Sequence, residues 1–374
     1  MKTLFFELIQ VAIGRRDLLS RVPSADDWNM LYGLSVKQAV AGVCFVGVQR
    51  LSKEQREEMP KRLLMQWFAL ATQIQVRNKE MNRKCAVVYE AICREGFRCV
   101  VLKGQGIAEL YYVSDCISGD DDSKVKGDSF SGSLGLYRQS GDIDVWLWKE
   151  GMSLKENKKD VLRLARSIQP KAHDSVHHVA VEWMGTEVEL HYWPSFFYNP
   201  FSNSRFVKWF MGFDKSKFQL TDNGFLVPNS DFNLIFLLSH AYRHYVREGL
   251  GLRQVMDYYF LLKYVDFDVD LNRNRMIKEL RMARFEKAMK WVIGYVFEGK
   301  DIENGRECGK LLLAHIMDGG NFGKHKVTNV ASKHTHIGRF INQLAHDFHL
   351  VRYFACEAIW VPLSMIEEFI RIRV

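Results

Sequence analysis

The stretch GDIDVWLW, residues 141–148, places two carboxylates inside an apolar run. In a β-strand alternate side chains point to the same face, so Asp142 and Asp144 project together while the apolar residues between and after them face the core. Two carboxylates ~4 Å apart repel by roughly 4 kcal/mol at an effective dielectric constant near 20. The pair therefore requires a shared proton, a basic partner or a cation. A magnesium ion is the simplest of these, and a solvated polar strand face is the alternative.

A second segment with features of a ligand-binding site lies upstream of the two aspartates. Residues 99–102 predict a short buried strand, which ends at Lys103-Gly104-Gln105-Gly106, and apolar helical spacing resumes after it. A strand that breaks at glycines and opens a helix presents free backbone N–H groups to a phosphate. This segment therefore predicts a phosphate-binding turn.

A third carboxylate follows downstream. Residues 177–183 and 186–193 predict a β-hairpin around a Met-Gly turn. Alternation in the second strand puts Glu187, Glu189 and His191 on one face. The hairpin is expected to bring Glu189 toward the aspartates, with Glu187 as a rival for the same role.

These segments resemble an uncharacterised bacterial nucleotidyltransferase family within the DNA polymerase beta-like superfamily. The shared motifs are the sequence LKG at 102–104, Arg138 shortly before the D-x-D strand, and the sequence VELH at 188–191. The resemblance covers the middle of the chain closely and the helical parts on either side more loosely. It implies an α+β fold in which a mixed sheet with helices is flanked by N- and C-terminal helical regions.

The resemblance also implies a reaction, the transfer of a nucleoside monophosphate from a nucleoside triphosphate to an acceptor hydroxyl. Asp142, Asp144 and Glu189 would be the catalytic residues and would hold one or two Mg²⁺ ions, and the resemblance favours Glu189 over Glu187. The acceptor stays open between a small molecule, a protein and tRNA. The implied nucleotide-binding residues are Lys103, Gly104, Gln105, Gly106 and Arg138.

The chain has 374 residues, which is more than a single hydrophobic core typically contains. The sequence predicts three regions. Residues 1–95 read as an N-terminal helical region, 96–225 as the catalytic domain and 226–374 as a C-terminal helical domain. A capping-box spacing begins at Ser24, and a long amphipathic pattern runs from Pro60 to Gly96. Residues 114–135 are rich in Asp, Ser and Gly and predict an exposed loop.

Two residue pairs in the C-terminal region share helix faces. His240 and His244 are one turn apart, and so are Arg253 and Asp257. Each pair has an ordinary interpretation, a packed histidine pair and an intrahelical ion pair. The alternative is that these residues contact the acceptor or the nucleotide.

The spacing of the histidines near the predicted hairpin does not indicate a zinc site. His173, His177, His178 and His191 match no spacing of a closed zinc site, and carboxylates dominate the face. Seven cysteines occur without a C-x-x-C pair, which indicates reduced thiols rather than disulfides.

Composition limits the function classes further. The net charge of +8 and pI near 9.0 suit an anionic ligand such as a nucleotide. Nucleic acid is compatible but not favoured, because a single aromatic side chain, Phe285, lies among the basic residues at 272–290 and aromatic residues do not alternate with them. The longest apolar run, 39–48, is too short to span a membrane. We expect a cytoplasmic enzyme, and a non-catalytic nucleotide-binding or scaffold protein of a biosynthetic operon is the alternative.

Overall fold

The computed structural model describes residues 2–111, 134–263, 271–323 and 350–373. Within these ranges the protein is α+β, with a small mixed sheet and many helices. The loop predicted at 114–135 lies almost wholly outside the described residues. The predicted domain boundaries remain a prediction.

Four helices precede the sheet, as the sequence predicts. Ser24 and Asp27 form the predicted capping box at the start of the second helix, with each side chain bonded to the other's backbone N–H. The fourth helix is 34 residues long, and its buried positions follow the amphipathic pattern. The helices are α1 (Lys2–Ala12), α2 (Ala25–Lys37), α3 (Ala41–Arg50) and α4 (Lys61–Arg94).

The central sheet has the strand order β1-β2-β4-β3. Its strands are β1 (Arg98–Val101), β2 (Ile143–Trp148), β3 (His178–Trp183) and β4 (Thr186–His191). Strands β2 and β4 are parallel, and the other two neighbouring pairs are antiparallel. The hairpin between β3 and β4 turns at Met184 and Gly185, which have φ angles of 56° and 66°. Positive φ at both turn residues matches the right-handed twist of the two strands.

The two faces of the sheet pack against different parts of the protein. Ile143, Val145 and Leu147 face a core that α4 shares with α6 (Leu154–Ile168), as the alternation in the sequence predicts. Trp146, on the opposite face, joins the larger helical core. The face that carries Asp144 is therefore enclosed by helices instead of lying open to solvent.

Helices from both ends of the chain share this larger core. Gln10 donates to the carbonyl of Val296 at 2.9 Å, and Gln38 donates to the carbonyl of Ile316 at 2.8 Å. The single-turn helix α5 (Gln105–Ala108) follows β1. The later elements are α7 (Pro200–Met211), β5 (Gln219–Leu220), β6 (Leu226–Val227), α8 (Ser230–Arg247), α9 (Leu252–Leu262), α10 (Leu271–Glu279), α11 (Ala283–Phe297), α12 (Arg306–Gly319), α13 (350–358) and α14 (Trp360–Arg373).

The basic stretch at 272–290 does not form one helix. Helix α10 ends at Glu279 and α11 begins at Ala283, because Arg281 between them adopts a left-handed conformation with φ of 58°. Arg273 is buried, so the stretch is not a uniformly solvated basic face. Among the helices in the described ranges, none combines the length and apolar character needed to cross a bilayer.

Candidate active site

The centre of the candidate site is formed by neighbouring residues of two parallel strands. Asp144 of β2 is the register partner of Glu189 of β4, so both side chains leave the same face of the sheet. Nε2 of His191 lies 3.1 Å from Oδ1 of Asp144 and 3.1 Å from Oε2 of Glu189. Because both neighbours are carboxylate oxygens, this nitrogen carries the proton and donates to both.

A buried lysine neutralises part of this acidic charge. Nζ of Lys103 lies 2.9 Å from Oδ1 of Asp144, and the lysine side chain is 17% exposed. Burial opposes the charged ammonium, but the carboxylates of Asp144, Asp142 and Glu189 outweigh burial and raise the pKa of Lys103. The lysine therefore stays charged and holds the acidic residues together.

Burial and hydrogen bonding also set the charge states of the other two central groups. Burial opposes ionisation of Glu189, but the hydrogen bond from His191 and the charge of Lys103 hold its pKa well below its usual range. Burial opposes the charge on His191 too, and its hydrogen bonds to Asp144 and Glu189 raise its pKa nonetheless. At neutral pH Glu189 is thus ionised.

Asp142 extends the acidic face beyond the first residue of β2. It is partly exposed, whereas Asp144 is only 2% exposed. Burial and the charge of Asp142 raise the pKa of Glu187, which is an exposed residue. The structure thus places Glu189 at the buried centre of the face and Glu187 at its exposed end.

The predicted phosphate-binding turn lies directly beside the aspartates. Gly104 adopts φ of 61° and ψ of −113°, a conformation that favours glycine. A Cβ on Gly106 would lie 2.6 Å from the carbonyl oxygen of Val101, so the backbone is close-packed there. Gln105 points its amide at Asn82 of α4. The helix after this turn, α5, has only four residues, so it is shorter than the sequence suggests and has a weak dipole.

Arg138 is committed to an internal ion pair. Its Nε and Nη2 atoms lie 2.7 Å from the two carboxylate oxygens of Asp257, and both side chains are about 5% exposed. The hydroxyl of Tyr111 donates to the same carboxylate at 2.6 Å. Arg138 therefore joins the segment before the D-x-D strand to helix α9, and its remaining nitrogen, Nη1, donates to the carbonyl of Gln139 at 3.4 Å.

The intrahelical ion pair predicted for Arg253 and Asp257 does not form in the described structure. Asp257 binds Arg138 instead, and Nη1 of Arg253 donates to the carbonyl of Gln139 at 2.8 Å. Nδ2 of Asn78, on α4, donates to the carbonyls of Leu136 and Arg138 at 2.6 Å each. The backbone that leads into Asp142 is thus held by side chains from two helices.

His240 and His244 form the packed pair that the sequence offers as one interpretation. Their ring centroids are 4.3 Å apart, and both are buried on α8. Burial is the main cause that lowers the pKa of His240, and the charge of Lys103 lowers it further. Nδ1 of His244 lies 2.8 Å from the carboxylate of Glu248. Helix α8 therefore closes the side of the site near Lys103.

Two further residues lie in this region, His177 and His178, which sequence reasoning considers as zinc ligands and does not place at the site. The ring centroids of both lie 5.0 Å from that of His191. Burial lowers the pKa of His177 well below its usual value, and burial together with His191 lowers the pKa of His178 to about 4. The register pairing of His178 with His191 across the hairpin was the signal that could have found them.

The donor set suits a hard divalent cation. Carboxylate oxygens of Asp144 and Glu189 lie within 4.8 Å of each other, and Asp142 adds a further carboxylate nearby. His191, whose Nε2 donates to both carboxylates, is not counted among the ligands. Carboxylate oxygens are the protein ligands that Mg²⁺ prefers. A mixed sheet that presents such a set on adjacent parallel strands, beside a glycine turn, is an arrangement suited to phosphate-containing substrates.

Comparison with known families agrees with this class of site. A family model described as an uncharacterised nucleotidyltransferase matches residues 24–116 and 135–298, more than half of the chain, and this range includes every site residue described above. The chain belongs to this nucleotidyltransferase family, whose name denotes a transferase. No curated protein and no solved structure matched the chain.

Proposed function

We propose that the protein is a metal-dependent nucleotidyltransferase of the polymerase beta-like superfamily. It would move a nucleoside monophosphate from a nucleoside triphosphate to an acceptor hydroxyl. The observation that carries this proposal is the register pairing of Asp144 with Glu189 on parallel strands, with Asp142 two residues before Asp144. The family membership supports the reaction class, and the sequence resemblance supports a bacterial, cytoplasmic member.

Asp142, Asp144 and Glu189 are the residues that would hold one or two magnesium ions. The ionised state of Glu189 suits this role, because a metal ligand must be deprotonated. Bound magnesium would offset the negative charge of the triphosphate and of the departing pyrophosphate.

Several groups of the chain itself would bind and orient the triphosphate. The backbone turn at residues 103–106 would approach the triphosphate at Gly104, where a Cβ would have no neighbour closer than 3.9 Å. Gly106 instead lets the turn pack against the backbone of Val101. Lys103 supplies a partly exposed positive charge at the same edge. The hydroxyl of Ser140 is buried and has no hydrogen-bond partner among the described residues, so it is a candidate donor to substrate.

Arg138 and Asp257 would act through the backbone and not through contact with the nucleotide. Their buried pair, together with Arg253 and Asn78, fixes the segment from which Asp142 projects. Such a reaction depends chiefly on position and electrostatics, so a rigid support for the ligands contributes directly to rate. His240 and His244 lie on the Lys103 side, where an acceptor would approach.

One observation favours a second candidate, a protein that binds nucleotide without turning it over. Lys103 already neutralises Asp144 at 2.9 Å, so the acidic site is stable without a metal ion. A non-catalytic nucleotide-binding or scaffold role would use the same turn and lysine. Neither candidate function identifies the acceptor, which stays open between a small molecule, a protein and tRNA.

Calorimetric titration of each nucleoside triphosphate, with and without magnesium, tests the proposal. The variants are Asp142→Asn and Asp144→Asn, and Asp17→Asn is the matched control because Asp17 is exposed and distant in sequence from the site. We expect binding that requires magnesium in the wild type and the control and is lost in both site variants. Binding that ignores magnesium and the aspartates would favour the non-catalytic candidate, and no binding at all would contradict both.

A further inference from the structure

Three histidines converge beside the acidic site. The ring centroids of His177, His178 and His191 are 4.5 to 5.0 Å apart. One ring nitrogen from each lies within 4.8 Å of the others. His177 and His191 are each 2% exposed, and the side chain of His178 is 17% exposed. The cluster is therefore enclosed but reachable from solvent through His178.

Two of the nitrogens already have the separation of metal ligands. Nε2 of His177 and Nδ1 of His178 are 3.4 Å apart, a distance at which one ring also hydrogen-bonds to the other when no ion is bound. Zinc binds histidine nitrogen at ~2.0–2.1 Å in tetrahedral sites, which places two ligand nitrogens roughly 3.3–3.4 Å apart. A ring nitrogen of His191 completes a three-nitrogen set whose members, one from each ring, lie within 4.8 Å of one another.

The carboxylate of Glu189 lies where the hydrogen-bond partner of a metal-bound histidine is commonly found. Nε2 of His178 is 3.5 Å from Oε1 of Glu189, and Nε2 of His191 is 3.1 Å from Oε2 of the same residue. A metal-bound histidine commonly directs its other ring nitrogen at a carboxylate, which fixes the ring. Glu189 makes this arrangement with two of the three rings.

Two ring nitrogens of the cluster are left unpaired within the described residues. Nδ1 of His177 and Nδ1 of His191 are buried, and neither has a hydrogen-bond partner among the described residues. Buried polar atoms are nearly always paired with protein, water or an ion. An ion held by Nε2 of His177 and Nδ1 of His178 would account for Nδ1 of His191 as its third ligand, and it would not account for Nδ1 of His177.

We propose that His177, His178 and His191 bind a divalent first-row transition-metal ion of the zinc type, separate from the magnesium proposed at the aspartates. Nitrogen donors select such an ion over magnesium. Lys103 and Arg243 also face the cluster and disfavour a cation, but the carboxylates of Asp142, Asp144 and Glu189 offset their charge.

The proposal reverses the sequence-based expectation of no zinc site. Linear spacing hides the cluster, because His177 and His178 are adjacent in the chain and meet His191 through the β3–β4 register. The bound ion would pin the end of β4 and hold Glu189 in place beside Asp144. The site is thus expected to support the acidic centre and to bind metal on its own.

Zinc titration into the chelator-treated full-length chain tests this proposal. The variants are His177→Gln and His178→Gln, and His173→Gln is the matched control because His173 is an exposed histidine on the same segment. We expect one zinc ion per chain in the wild type and the control, and at least about tenfold weaker binding in both variants. Equal affinity in all four proteins, or no zinc binding by the wild type, would overturn the proposal.

Two further measurements keep this test separate from the magnesium site and from misfolding. Asp142→Asn should keep the zinc stoichiometry even though it is expected to lose magnesium-dependent nucleotide binding. Co²⁺ added to the wild type should give the intense visible absorption of a tetrahedral, nitrogen-rich site. A weak octahedral spectrum, or loss of zinc in Asp142→Asn, would count against the histidine site whatever the nucleotide result.

Discussion

Asp144 and Glu189 are held side by side by one nitrogen, because Nε2 of His191 lies 3.1 Å from a carboxylate oxygen of each. Lys103 adds a second contact to Asp144 at 2.9 Å. The acidic centre is therefore assembled in the protein without a bound ligand. This preassembly makes the contribution of each partner measurable by substitution.

Glu189→Gln is predicted to abolish magnesium-dependent nucleotide binding, whereas Glu187→Gln is predicted to leave it within about twofold. Glu189 is the register partner of Asp144, and Glu187 is exposed at the end of the strand. Loss of a carboxylate charge removes one of the ligands that magnesium prefers and weakens the metal site. Calorimetry with both variants measures the difference, and equal losses in the two would place Glu187 in the site as well.

Lys103→Met is predicted to lower the melting temperature and to make it more sensitive to magnesium. The substitution leaves buried Asp144 without its cation, a loss on the order of 3–5 kcal/mol for a buried pair. Magnesium bound to the native state would restore part of the lost stability.

Thermal unfolding with and without magnesium measures this effect. Lys171→Met is the control, because Lys171 is exposed. The magnesium-induced rise should be larger in Lys103→Met than in the wild type or the control. An identical rise in all three proteins would show that magnesium binds elsewhere.

Local features of the fold were predictable because their causes lie within a few residues. Ser24 begins a helix through the capping box that its sequence spacing predicts. The Met184-Gly185 turn and the alternation around Asp144 likewise depend on neighbouring residues only. These signals were sufficient to predict the strands and the face that carries the acidic site.

Long-range pairings were not predictable from the same signals. Asp257 binds Arg138, 119 positions away, and not Arg253 one turn away, because the folded chain brings a buried guanidinium closer than the helical neighbour. Alternation could not separate Glu187 from Glu189 either, since both lie on one face. The register of β4 against β2 decides which of them meets Asp144.

Arg138→Met and Asp257→Leu are each predicted to destabilise the protein by roughly 3–5 kcal/mol, because each leaves a buried charge unpaired. The double variant should lose less than the sum of the two, since no unpaired charge remains. Urea unfolding gives the three free energies. Arg94→Met is the control because Arg94 pairs with Glu90 on an exposed helix surface and should change little. Additive losses would mean that the two residues do not act as a pair.

Glu357→Gln is predicted to flatten the dependence of stability on pH. Glu357 on α13 is 2% exposed and accepts the backbone N–H groups of Tyr198 and Asn199 ahead of α7. Burial outweighs these hydrogen bonds and raises its pKa from 4.5 to about 8. The folded state therefore binds more protons than the unfolded state between these values.

The sign of the effect follows from this difference in proton binding. The contribution of Glu357 to stability is fully present below pH 4.5 and is lost as pH rises through about 8. The melting temperature of the wild type, relative to Glu357→Gln, should therefore fall between pH 5 and pH 9. Glu95→Gln, at an exposed position after α4, should track the wild type across the range. A constant difference between wild type and Glu357→Gln would mean that the carboxyl does not titrate there, and that its two backbone hydrogen bonds keep it ionised throughout.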